Sequence, residues 1–112
     1  MTNTPTHGHG VLTGTVYTDW CFTDNTLVDF LPHSAWDEGL FSYMVVGFEE
    51  GASGNFHHQG FVQFKEGYCL AELKDLWPRT HWERRKGTAT QASEYCKKDG
   101  AYEEKGTLNL GR

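Results

Sequence analysis

Two groups of side chains carry types and spacings that can do chemistry. In the run FHHQGFVQF, residues 56–64, the period-two alternation of a strand puts His57, Gln59, Phe61 and Gln63 on one face. His58, Gly60, Val62 and Phe64 fall on the other. Glu49 shares the parity of Tyr43, Val45 and Gly47 in the preceding run YMVVGFE. An even antiparallel register then sets Glu49 and Gly47 across from His57 and Gln59. A carboxylate, an imidazole and an amide oxygen would share one face, a mixed N/O set suited to Mg²⁺ or Mn²⁺ and unlike a closed zinc site. An ordinary polar sheet face would show the same residues. The second group is Tyr95 and Lys98 in SEYCKKDG. At i, i+3 on a helix their side chains project together, so an ammonium can stabilise charge on an attacking or departing phenol oxygen. A half-buried tyrosine beside a solvated lysine is the plainer alternative.

The elements that must position these groups are legible in outline. Residues 15–23, TVYTDWCFT, are β-branched and aromatic and read as a strand. A short helix is expected around residues 34–40, with Pro32 as the breaker before it. Residues 43–49 and 56–64 form two strands, and the turn-rich EGASGN between them makes an antiparallel hairpin. Residues 69–77 place Leu70, Leu73, Leu76 and Trp77 on a helical face that Pro78 ends. A fourth strand is expected over 81–86. Thr88 and Gln91 form a capping-box pattern opening a helix through about Lys98, which Gly100 terminates. A last strand is expected near 102–108. The fold class is α+β, one antiparallel sheet of about five strands with helices packed on it.

Composition bounds the rest. The chain has 112 residues, room for one domain, and contains no P-loop motif. Residues 1–14, including His7 and His9, read as a flexible tail, and 15–112 as the domain. There is no apolar run of membrane-spanning length and no signal-peptide pattern, so an intracellular, non-secreted chain without a membrane partner is expected. Cys21, Cys69 and Cys96 are odd in number and widely spaced, as reduced thiols are. The net charge of −5 conceals a strong asymmetry. Residues 1–64 hold seven acids and no lysine or arginine, while 79–98 hold six basic residues against two acidic ones, a local +4. Such a patch, more than the total, governs attraction to an anionic partner, because distant charges are screened. Trp82, Arg84, Arg85 and Lys86 mix a ring with phosphate-seeking cations, the combination that single-strand binders use, and Lys97 adds to them. A charged edge strand that blocks aggregation is the alternative.

Three segments occur in a telling order: WCFTDN at 20–25, HHQGFVQF at 57–64 and YCKK at 95–98. Together they resemble the three motifs of HUH-type replication initiators, most nearly the Rep proteins of circoviruses and nanoviruses. The likeness runs from about Asp19 to Gly100. It implies a ferredoxin-like HUH endonuclease domain that nicks and joins single-stranded DNA at an origin stem-loop, leaving a phosphotyrosine and a free 3′-hydroxyl. It makes His57 and Gln59 metal ligands, Gln59 standing where the superfamily has its second histidine. Glu49 becomes the carboxylate ligand, with Glu50 as fallback despite its opposite parity. Tyr95 becomes the nucleophile and Lys98 its helper. Phe22, Thr23 and Asn25 fall in the first motif as DNA contacts, although Asp24 departs from its usual pattern, and His58 is a bystander. The resemblance further implies a helicase following this domain and a host nucleus as its setting. A plasmid initiator or single-tyrosine transposase of the same superfamily, and a non-catalytic single-strand-binding module, are the competing expectations.

Overall fold

Burial on both faces marks the middles of the two longest strands. In the computed structural model, which describes residues 14–26, 34 and 36–111, β1 is Tyr17–Asp24, β2 Phe41–Glu50 and β3 Phe56–Tyr68. Helix α1 (Leu70–Leu76), β4 (His81–Arg84), α2 (Ala89–Lys97) and β5 (Tyr102–Gly106) follow. The strands form one sheet in the order β4-β1-β3-β2-β5, with every neighbouring pair antiparallel. The expected α+β architecture is the observed one. The β2–β3 register is even, and pairs Glu49 with His57, Gly47 with Gln59 and Val45 with Phe61.

The two faces of the sheet are packed differently. One carries Trp20, Phe22, Met44, Val46, Val62, Phe64 and Trp82, closed by Leu73 of α1 and by Trp77 just past its end. Its rings are in mutual contact, with centroid separations of 4.7 Å for Phe64–Tyr68, 5.0 Å for Phe41–Phe64 and 5.4 Å for Phe22–Trp82. Burying each such ring contributes roughly 1.5–3 kcal/mol, so this face dominates the hydrophobic stabilisation. The other face buries a smaller set, Tyr43, Val45 and Phe61, beneath Ala89, Ala92 and Cys96 of α2.

Both helices begin as their sequences require. The Cys69 N–H donates to Glu72 Oε1 at 2.8 Å, which explains why Glu72 is buried. At α2 the capping box is complete: Gln91 N–H donates to Thr88 Oγ1 at 3.1 Å and Thr88 N–H to Gln91 Oε1 at 2.9 Å. Gly100 adopts φ +84°, ending the helix in the left-handed conformation.

Some expectations need correction. Residues 36–40 form a turn and not the end of a helix. Asp37 Oδ1 accepts from Gly39 N–H at 2.8 Å, and its carbonyl takes the N–H groups of Leu40 and Phe41, each at 2.9 Å. The aspartate thus closes the backbone locally and feeds it into β2. Pro32 and residues 1–13 of the tail lie outside the described residues. Strand β3 runs to Tyr68, four residues beyond the expected end. Strand β4 stops at Arg84 and β5 at Gly106, whose φ of +82° turns the chain. The segment after β5 is held by the buried Gln63, whose Nε2 donates to Asn109 O at 2.7 Å while its Oε1 accepts from Asn109 N–H at 2.8 Å.

Candidate active site

Helix α2 reaches the sheet because β2 has no side chain where they meet. A Cβ on Gly47 would lie 2.0 Å from the Cys96 carbonyl oxygen, well inside any permitted contact. Backbone therefore rests on backbone at this point. Burial pushes the Cys96 thiol up to about 12, so it packs as a neutral apolar group. The residues on either side of this contact are the ones of interest: Gln59 pairs with Gly47, Glu49 lies two residues along β2, and Tyr95 and Lys98 flank Cys96.

The geometry joins four of the five expected catalytic and metal-binding residues into a chain. His57 Nε2 donates to Glu49 Oε1 at 3.0 Å. The other carboxylate oxygen, Oε2, accepts from Lys98 Nζ. That ammonium also sits 3.9 Å from the centroid of the Tyr95 ring, a cation–π distance. Partial burial opposes the charge on Lys98, but the hydrogen bond and charge of Glu49 outweigh it and raise the ammonium above the usual lysine range. Lys98 is accordingly a fixed cation at neutral pH and not a proton acceptor. Tyr95 is 52% exposed, accessible to a macromolecular substrate.

Gln59, the fifth, joins through the strand register and not through a bond to Glu49 or His57. Its side chain is tied to β1: Thr23 Oγ1 donates to Gln59 Oε1 at 3.2 Å, and Gln59 Nε2 donates to Phe22 O at 3.4 Å. Between α2 and strands β1, β3 and β4 runs a cleft of about 540 Å³. Thr23, Gln59, Lys86 and Tyr95 line it, whereas Glu49 and His57 do not.

The donor set fits a hard divalent ion. Carboxylate, imidazole nitrogen and amide oxygen occupy adjoining cross-strand pairs on one face, and the Glu49 and His57 atoms already point at each other. Among the described residues there is no cluster of three or more His, Cys, Asp or Glu side chains that could hold a metal, so an ion held here would take the Gln59 amide as its third donor. Glu50, by contrast, pairs with Phe56 on the opposite parity, and His58 packs edge-on against Phe48 at 5.1 Å.

The expected DNA contacts divide. Trp82 and Phe22 are 3% and 1% exposed and pack against each other at a tilt within the aromatic core. Neither offers a ring to a base, which corrects that expectation. The edge strand alternates, and its indole gains more from the apolar face than from solvent. Asp24 is fully buried on the same parity as Phe22, where its Oδ1 caps the following turn by accepting from Thr26 N–H at 2.9 Å. Asn25 is exposed just past β1. Arg84 lies over the Tyr17 ring at 3.8 Å, and Arg85 pairs with Asp19 at 2.8 Å. Lys86 pairs with Glu83 at 3.1 Å with its side chain 81% exposed, and only it, of these basic residues, lines the cleft with Tyr95. Lys97 faces β5, 2.8 Å from Glu104. Glu104 also accepts from Tyr43 Oη, which in turn accepts from Ser93 Oγ at 2.9 Å. This network clamps α2 to the sheet and was not foreseeable from spacing, because its members lie up to 61 residues apart.

Residues 17–99, which contain the whole site, match a family of proteins described as "Putative viral replication protein". The chain is 40% identical over 83 residues to the Replication-associated protein of Pigeon circovirus, covering 72% of this chain and 26% of that protein. It is 42% identical over 85 residues to the Replication-associated protein of Beak and feather disease virus, covering 72% and 29% respectively. With the Master replication protein of Milk vetch dwarf virus the identity is 38% over 81 residues, covering 71% and 27%. The chain therefore spans 26–29% of the length of these relatives. With a family match across more than half of its residues, this chain belongs to the family of viral replication proteins.

Proposed function

We propose that this domain starts replication of a circular single-stranded DNA genome by nicking, and later rejoining, the strand at its origin. The observation that carries the reading is the linkage of Tyr95, through Lys98, to the Glu49–His57 pair. In the forward step the Tyr95 Oη–P bond forms as the P–O3′ bond breaks. The phenol proton passes to solvent and the 3′ oxygen takes one up, so the exchange is balanced and leaves a 5′-phosphotyrosine and a 3′-hydroxyl. One phosphate ester replaces another, and attack by a 3′-hydroxyl reverses the step without ATP. A phenol of ordinary pKa ~10 is a poor nucleophile at neutral pH. Lys98 offsets negative charge at the phenol and phosphate. Glu49, His57 and Gln59 would hold Mg²⁺ or Mn²⁺, which supplies Lewis-acid polarisation of the scissile phosphate. Lys86 contacts a backbone phosphate in the cleft, and the exposed Asn25 contacts the strand as it leaves β1.

A labelled single-stranded oligonucleotide containing an origin loop, incubated with Mn²⁺ and run on a denaturing gel, tests this reading. The wild type should give a protease-sensitive adduct and a shortened 3′-hydroxyl fragment. Tyr95→Phe should give neither while binding the same strand. An adduct that persists in Tyr95→Phe assigns the nucleophile elsewhere. No adduct from any origin sequence with the wild type leaves a non-catalytic single-strand-binding module as the better description.

A further inference from the structure

We infer that Thr23 is a positioning residue that fixes which end of the Gln59 amide faces the ion site, and that it does not contact DNA phosphate. The inference rests on the proposed metal-binding role of Gln59. An amide, unlike an imidazole or a carboxylate, has one end that ligates a hard cation and one that repels it. A half-turn about its last torsion would turn an NH₂ group toward the cation. The structure holds two contacts that decide the orientation. The Phe22 carbonyl only accepts, so the group facing it at 3.4 Å must be Nε2. Oε1 then faces Thr23, whose hydroxyl donates to it at 3.2 Å. A carbonyl oxygen has two lone pairs, so the bond from Thr23 leaves the second available to a cation. The 3.4 Å contact is long, which makes the hydroxyl the stronger of the two constraints.

Thr23 reaches Gln59 because the β1–β3 register sets them directly across from each other. Its single hydroxyl hydrogen is spent on Gln59. A phosphate oxygen also needs a donor, so the same hydroxyl cannot serve both. The neighbours on β1, Phe22 and Asp24, face the opposite side and cannot take over the task.

Direct titration of Mn²⁺ into the metal-free protein, read by calorimetry and by the electron paramagnetic resonance of free Mn²⁺, tests the inference without relying on cleavage. Thr23→Val keeps shape and β-branching but removes the hydroxyl. It should weaken Mn²⁺ binding by about 10-fold, the lower end of what groups that orient metal ligands contribute, with metal-free binding to single-stranded DNA unchanged. Thr23→Ser should restore the affinity. In a Gln59→Glu background, where both ends of the side chain are oxygens, adding Thr23→Val should cost less than about 2-fold. Wild-type Mn²⁺ affinity in Thr23→Val, alongside lost affinity in Gln59→Ala, would overturn the positioning role alone. Undiminished Mn²⁺ binding in both His57→Ala and Gln59→Ala would instead remove the metal site itself, and this inference with it.

Discussion

The two faces of the sheet are built from the same strands yet obey opposite rules. On the α1 face, Phe22, Met44, Val46, Val62, Phe64 and Trp82 are all 3% exposed or less and bury large rings. On the α2 face the apolar residues stop at Tyr43, Val45, Phe61 and Cys96, and the same strands continue into Glu49, His57, Gln59 and Thr23. The difference teaches a division of labour. One face supplies the burial that stabilises the fold, and this frees the other to hold polar groups in a geometry that would be costly for a sheet with a single core.

Mutations can break that comparison at both ends. Trp82→Ala should destabilise the domain by about 3–5 kcal/mol, as deletion of a buried aromatic does. The thermal midpoint measures it. Single-strand affinity below the transition should be retained, whereas a stable variant that had lost DNA binding would return Trp82 to the surface. Gly47→Ala should be next, costing about 1–3 kcal/mol as overpacking does, because its methyl collides with backbone and not with a movable side chain. Here both stability and adduct formation should fall, since α2 is lifted along with Tyr95. Lys86→Ala should leave the midpoint unchanged and reduce the log–log salt slope of single-strand binding by roughly 0.7, one phosphate contact. The smallest effect belongs to the clamp at β5. Lys97, and after it Tyr43, hold the Glu104 carboxyl below its ordinary range. Its contribution to stability is therefore present above the unfolded value of about 4.3 and is lost as pH falls through the depressed folded value. Glu104→Gln should flatten that acid limb in a pH series of thermal midpoints.

How much of this was legible depends on the range of the interaction. Parity along two consecutive strands put Glu49 opposite His57 and Gly47 opposite Gln59 once an even register was assumed, and the fold has that register. The Thr88–Gln91 cap and the Gly100 stop were equally local. Trp82 was not legible. A four-residue edge strand, HWER, alternates too briefly to reveal its inward side, and its basic neighbours suggested a surface ring. Nor could the partners of Thr23, Lys97 and Arg85 be read, since each bonds to an element brought beside it by topology and not by adjacency in the chain. The value of Gly47 was hidden for a related reason. Sequence shows a missing side chain, but only the fold shows what occupies its place.

That contact between Gly47 and the Cys96 carbonyl acts as a fulcrum. Ala89 and Ala92 pack on the same sheet and Lys97 pairs with Glu104, so the helix is held along its length. Any residual tilt about the Gly47 contact displaces each residue in proportion to its distance along the axis. Tyr95 is one residue from the pivot, about 1.5 Å along the helix, while Ala89 lies roughly 10 Å away. A rocking motion of about 10° would move the Ala89 end by nearly 2 Å and the Tyr95 backbone by only a few tenths of an ångström. Tyr95, the proposed nucleophile, is thus carried where such a tilt moves the backbone least.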